Sequence, residues 1–192
     1  MTKIIEFGEK FSIVWQNTGV SQVGEVRNYT LDGNGYRPIP ILLDDVQMNK
    51  IKMRFLVSTL NDNGPKIVVS ADFMKIPVRL REAGIWHEVG HIVYEHLLSD
   101  EFLDQSQLKA SRQMAIKKGI VLPMELEADC FAILQSGKES IIESLTYLMN
   151  TRSPDKKLEL NELGKRELEI RITAIRTRKC TRRRTQTRVK II

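Results

Sequence analysis

All three histidines of this 192-residue chain, His87, His91 and His96, fall within ten consecutive residues of the stretch "REAGIWHEVGHIVYEH". That confinement constrains the fold more than any other feature. His87 and His91 are four residues apart. On a helix this spacing leaves only about 40° of rotation between two side chains, so both share one face. Apolar residues at three- and four-residue intervals through "VRLREAGIWHEVGHIVYEHLL" predict that helix independently. Two imidazoles on one helical face suit a shared metal ion. A catalytic metal site takes three protein ligands and keeps one position open, so a second element has to pack here and supply the third.

Glu88 is rotated by about 100° from His87, too far to share the ion fully but placed to reach a water on it. Together these residues make the H-E-x-x-H arrangement. In that chemistry zinc polarises the scissile carbonyl and lowers the pKa of its water, while the glutamate takes the proton and delivers it to the leaving amine. Gly90, between the two histidines, leaves room for another backbone to pass close. His96 lies nine residues after His87, about 180° around a continuous helix, and is read as a packing or surface histidine facing away from the ion.

The missing ligand is offered by "ELEAD", residues 125 to 129. Glu125 and Asp129 are again four apart. The glutamate suits a metal ligand, and the aspartate suits the outer N–H of a liganding histidine. Glu127 is rotated by about 200° from Glu125 and is expected to point away. Trp86 is read as core, Cys130 as a buried thiol off the metal face. Tyr94 and Tyr147 stand open between stabilising an oxyanion and packing half-buried in the core.

Around these motifs the chain changes character at Pro77. Before it, "KIIEFGEKFSIVWQ", "GEVRNYTL", "PIPILL" and "KIVVSADF" read as strands, with "LDGNGYRP" and "NDNGPK" as turns and "MNKIKMRFLVSTL" ambiguous. After it come helices: the histidine helix, a polar one stopped at Gly119, one from Pro123 to Gly137, and two more near "ESIIESLTYLMN" and "ELNELGKRELEIRITAIRTR". Strands first and helices afterwards argue for an α+β fold. The expectation is one domain over residues 1–178, strand-rich in 1–76 and helical in 77–178, with 179–192 as a basic tail.

Composition narrows the function classes. At 42% hydrophobic and 28% charged the chain is neither disordered nor fibrous. No apolar run approaches the roughly 18 residues of a membrane span and no signal-peptide pattern is seen, which predicts a cytoplasmic protein off the membrane. Cys130 and Cys180 show no C-x-x-C spacing and read as free thiols in a reducing compartment. The net charge of +6 is concentrated: from Arg176 onward there are eight basic residues and no acid, leaving −2 for the rest. Such a run reads first as a solvated extension, with an electrostatic hold on nucleic acid as the alternative.

"HEVGHIVYEH" followed by "ELEADCFA" resembles the gluzincin metallopeptidases, a zincin-like fold. It is similar in particular to the HtpX and CAAX prenyl protease group, through His87, Glu88, Gly90, His91, His96, Glu125, Ala128, Asp129 and Ala132. "ELEIRITAI" is also similar to that group's late Arg-Ile helix. The lack of membrane helices and the short interval between the motifs look more like the soluble ImmA/IrrE-type gluzincins. The resemblance implies a zinc-dependent peptidase acting on protein or peptide substrates, with zinc (Zn2+) on His87, His91 and Glu125, Glu88 as general base and Asp129 behind a ligand. It implies that "KIVVSADF" is the edge strand along which substrate pairs. The alternative is a regulatory metal-binding module acting on a repressor or nucleic-acid-associated partner with little turnover.

Overall fold

A computed structural model describes residues 3–4, 10–15, 21–29, 38–51, 53, 55–61, 64–94, 96, 105–151, 160–177, 180 and 188–189. Its strands are β1 (Lys3–Ile4), β2 (Lys10–Trp15), β3 (Gln22–Tyr29), β4 (Ile39–Leu43), β5 (Leu56–Asn61), β6 (Gly64–Val69) and β7 (Arg188–Val189). Its helices are α1 (Asp45–Lys50), α2 (Ala71–Met74), α3 (Val78–Val93), α4 (Gln105–Lys117), α5 (Pro123–Ser136), α6 (Lys138–Asn150) and α7 (Glu162–Thr177). The architecture is α+β, as the strand-then-helix order predicts. The turn expected at "LDGNGYRP" lies outside the described residues, apart from Pro38.

Five strands form one sheet in the order β2-β3-β4-β6-β5. All neighbours are antiparallel except β4 and β6, which pair in parallel with Ile41 opposite Ile67. The apolar run of β4 and the β-branched run of β6 are what interior strands require, and Ile41, Ile67, Val68 and Val69 are fully buried. This corrects one expectation: "KIVVSADF" supplies β6, an interior strand with partners on both sides, and the edge beside the histidine helix is β5. The ambiguous "MNKIKMRFLVSTL" divides, its start closing α1 and its end forming β5.

Helix α3 packs on β5 and β6 of the sheet and against helices α5 and α6. Ile85 and Val89 join Ile41, Ile67, Val69 and Phe73 in one core, with Phe131 and Ala132 of α5 and Ile172 and Ile175 of α7. Trp86 is buried in it, as expected. Trp15 Nε1–H of β2 donates to Glu82 at 3.2 Å, and the Ser144 hydroxyl of α6 donates to the Leu80 carbonyl at 3.1 Å. α3 packs most extensively against α5. Gly90 permits this, because a Cβ there would sit 2.8 Å from Ala128 Cα and 3.0 Å from its carbonyl oxygen. Among the described residues, no helix is long and apolar enough to cross a membrane.

Cys130 and Cys180 are joined in a disulfide, with Cα atoms 5.3 Å apart, and are not the free thiols their spacing suggested. A pairing across 50 residues depends on where the chain returns after α7, which spacing does not reveal. It also removes the free-thiol argument for a reducing compartment. The segment 179–192, expected as a tail beyond the fold, is attached at this cysteine. It is attached again at β7, which pairs antiparallel with β1. Its other residues lie outside the described ones.

The contact at Gly90 is directly testable. Gly90→Val places a branched side chain against backbone that cannot yield cheaply, and overpacking of this kind costs about 1–3 kcal/mol or more. Urea denaturation should show that loss, whereas an unchanged midpoint would mean the helices are farther apart than described.

Candidate metal centre

Helix α3 presents His87 and His91 toward Glu125 of α5. One ligand atom from each of the three lies within 4.8 Å of the others, and this group could hold a metal ion. The Nε2 atoms of the two histidines are 3.1 Å apart. Glu125 places Oε2 3.4 Å from His87 Nε2 and Oε1 3.9 Å from His91 Nε2. The spacing of four in each motif produces this: each pair projects from one face of its own helix, and the close approach at Gly90 turns the two faces toward each other.

Asp129, with no exposed surface, lies behind His87, its Oδ1 2.9 Å from His87 Nδ1. A proton on Nδ1 donated to this carboxylate leaves the Nε2 lone pair for the ion, the usual support of a metal-binding imidazole. Glu88 points to β5, where its Oε2 accepts from the Ser58 backbone N–H at 2.7 Å and from the Ser58 hydroxyl at 2.6 Å. Nothing in "RFLVSTL" marks Ser58 beforehand, because only the register of β5 beside α3 selects it.

Arg171 of α7 also joins the centre, and motif spacing does not supply it. Its Nε donates to Asp129 Oδ2 at 3.0 Å, its Nη2 to Asp129 Oδ1, and its Nη1 lies 3.2 Å from Glu125 Oε2. Planar and forked, the guanidinium spans both carboxylates at once. Its sequence signal is an arginine set within an apolar stripe: Leu168, Ile172 and Ile175 are buried on α7, and Arg171 is buried with them.

His96 is not where helical rotation places it. Helix α3 ends at Val93, and Tyr94 leaves the helical path at φ −90°, ψ 8°, so a rotation counted from His87 does not extend to residue 96. Its imidazole is buried, with Nδ1 2.9 Å from His91 Nδ1 and Nε2 3.1 Å from Glu127 Oε2. Glu127 is turned off the ion as expected, yet it is engaged through His96. Tyr94 packs edge-on to Phe131 and beside His96, and Tyr147 packs against the core. Both are partly buried.

The electrostatics follow from burying these groups together. Burial acts to raise the pKa of Glu125, but the Arg171 charge and His87 overcome it and hold the carboxyl well below its ordinary value. Asp129 is lowered in the same way, against burial, by Arg171 and His87. Burial and Arg171 act to lower His87, yet hydrogen bonds to Asp129 and Glu125 prevail and raise it to about 9. Burial, then the charge of His87, pushes His91 down to about 3. Without an ion, therefore, His87 carries the proton and His91 is the neutral acceptor.

The donor set suits a metal cation: two neutral imidazole nitrogens and one carboxylate, with a second carboxylate orienting the first imidazole. Arg171 occupies one side of Glu125 and leaves Oε1 directed to His91.

Two outcomes follow. A cation bound by both Nε2 atoms displaces the His87 proton, so loading should release about one proton per ion at pH 7. Affinity should rise about tenfold per pH unit as pH climbs toward the His87 value, since proton and metal compete for one lone pair. Calorimetric titration in buffers of different ionisation enthalpy measures this directly, and zero net proton release would show His87 to be neutral. Separately, Arg171→Met leaves Glu125 and Asp129 buried without a counter-charge and should cost about 3–5 kcal/mol in the metal-free protein. Denaturation with and without added metal should show part of that loss recovered by the cation.

No family model, no curated protein and no solved structure matches this chain.

Proposed function

We propose that this chain is a zinc-dependent peptidase, with His87, His91 and Glu125 as the metal ligands and Glu88 as the general base. One observation carries the reading. The three ligand atoms converge within 4.8 Å, and the residue next to the first histidine is a glutamate held by the edge strand of the sheet. A site meant only to hold a metal has no need of that glutamate, whereas amide hydrolysis needs a base beside the activated water.

Each residue then has a defined task. His87 and His91 offer Nε2, and Asp129 fixes the ring of His87 through Nδ1. Arg171 keeps Glu125 and Asp129 ionised inside the protein. Zinc held there would supply a Lewis acid that activates water and polarises a peptide carbonyl at neutral pH. Glu88 accepts the proton of the attacking water on Oε1 and passes it to the leaving amine, while Ser58 grips Oε2 and sets the carboxylate's orientation. An extended protein or peptide substrate is suited to lie along β5, since an open sheet edge accepts a strand through main-chain hydrogen bonds.

The gluzincin resemblance of "HEVGHIVYEH" and "ELEADCFA" supports the same reading, zincin-like fold included. A second reading is a regulatory metal-binding module working on a repressor or nucleic-acid-associated partner without turnover. The observation in its favour is that Glu88 is already hydrogen-bonded within the protein, to Ser58.

Glu88→Gln distinguishes them. The variant should keep full zinc stoichiometry and its fold while hydrolysis of casein or a peptide library falls by about 10²–10⁴-fold, the usual contribution of a positioned base. A wild-type protein that binds zinc and cleaves nothing would instead favour the regulatory module.

A further inference from the structure

We propose that His96 and Glu127 are positioning residues for the metal site, forming with His91 a chain of hydrogen bonds that runs in one direction from the ion to the surface. The inference rests on the metal reading above and assigns to His96 a task that its place in the sequence conceals.

The direction of each bond follows from the donor inventory of imidazole. For His91 to present its Nε2 lone pair to an ion, its proton must be on Nδ1. That atom is 2.9 Å from His96 Nδ1. Two N–H groups cannot point at each other, so His96 Nδ1 is unprotonated and accepts. The remaining proton of His96 is then on Nε2, which lies 3.1 Å from Glu127 Oε2, and the carboxylate accepts it. Along this chain each donor meets an acceptor. The reverse arrangement would put the His91 proton on Nε2 and close that atom to the metal.

The two histidine ligands are thereby supported in parallel. His87 is held by Asp129 directly, and His91 by Glu127 through one intervening imidazole. Both carboxylates come from α5, two residues apart and on different sides of it. They differ in setting: Asp129 is fully buried, whereas the side chain of Glu127 is 58% exposed. His96, only 8% exposed, is the buried link between Glu127 and His91. Tyr94 lies at a tilt beside the His96 ring, with centroids 5.8 Å apart.

Metal affinity and metal geometry test this without reference to turnover. His96→Leu fills the space but offers His91 no acceptor. His96→Asn restores one, because the amide oxygen can stand where Nδ1 stood. Zinc affinity is measured by chelator competition, and the site geometry by the visible absorption of the cobalt(II)-loaded protein. His96→Leu should bind zinc about 10–100-fold more weakly, as losses behind a metal-binding histidine generally do, and shift the cobalt bands. His96→Asn should recover most of the affinity and the wild-type spectrum. Glu127→Ala, at an exposed position, should weaken binding by a smaller factor, and it serves as the test should His96→Leu not fold. Wild-type affinity and spectrum in a folded His96→Leu protein, or in Glu127→Ala, would overturn the proposal. Equal losses in the leucine and asparagine variants would also overturn it, by reducing His96 to packing. A wild-type chain that binds neither zinc nor cobalt would refute the metal reading itself, a result distinct from all of these.

Discussion

The guanidinium of Arg171 between Asp129 and Glu125 is the interaction on which the rest of the centre depends. Two carboxylates on one buried helix face would repel each other and lose their hydration, and in an apolar setting they would take up protons to avoid the cost. Arg171 reverses this. It donates to both oxygens of Asp129 and lies against Glu125, so both groups stay ionised, one able to coordinate a cation and one able to orient His87. Since Arg171 comes from α7, the last long helix is part of the site and not merely a cover over the core. Its apolar residues Leu168, Ile172 and Ile175 fix the helix against the core and so deliver the guanidinium to its place.

The close packing of α3 on α5 is the second requirement. Residues four apart on each helix make two flat faces, but faces on separate helices meet only if the axes come close. At the crossing, Gly90 has no side chain, and Ala128 brings its backbone against it. A glycine inside a helix costs about 0.5–1 kcal/mol relative to alanine. Here the missing side chain allows the approach that lets imidazole nitrogens and a carboxylate share a space a few ångströms wide.

Much of this was legible in the sequence, and what was not has a common cause. The helix carrying His87 and His91, the partner helix carrying Glu125 and Asp129, and the role of Gly90 all follow from spacing, because a helix converts residue number into direction. The rule holds only while the helix continues. It fails at His96, which lies beyond the end of α3 at Val93. Ser58 and Cys180 were illegible for a related reason: each meets its partner through strand register or the return of a distant segment. The edge position that the resemblance implied for "KIVVSADF" failed similarly, since the β-branched content of that run identifies a strand but not its neighbours in the sheet. Arg171 falls between these cases. A charged residue in an apolar stripe announces a buried partner without saying which.

Charge balance ties the proton and the metal together. Glu88, Glu125 and Asp129 carry three formal negative charges against the one positive charge of Arg171, leaving −2 with His87 and His91 neutral. A divalent cation brings that sum to zero, the least costly state for a cluster shielded from water. In its absence the proton on His87 supplies part of the missing charge and fills the gap between the two Nε2 atoms. The metal-free centre is thus preorganised: the same contacts from Asp129 and Glu125 that hold the His87 proton also hold the ring that a cation would use. Arg171, in contact with both carboxylates, restrains them on either side of the exchange of proton for metal.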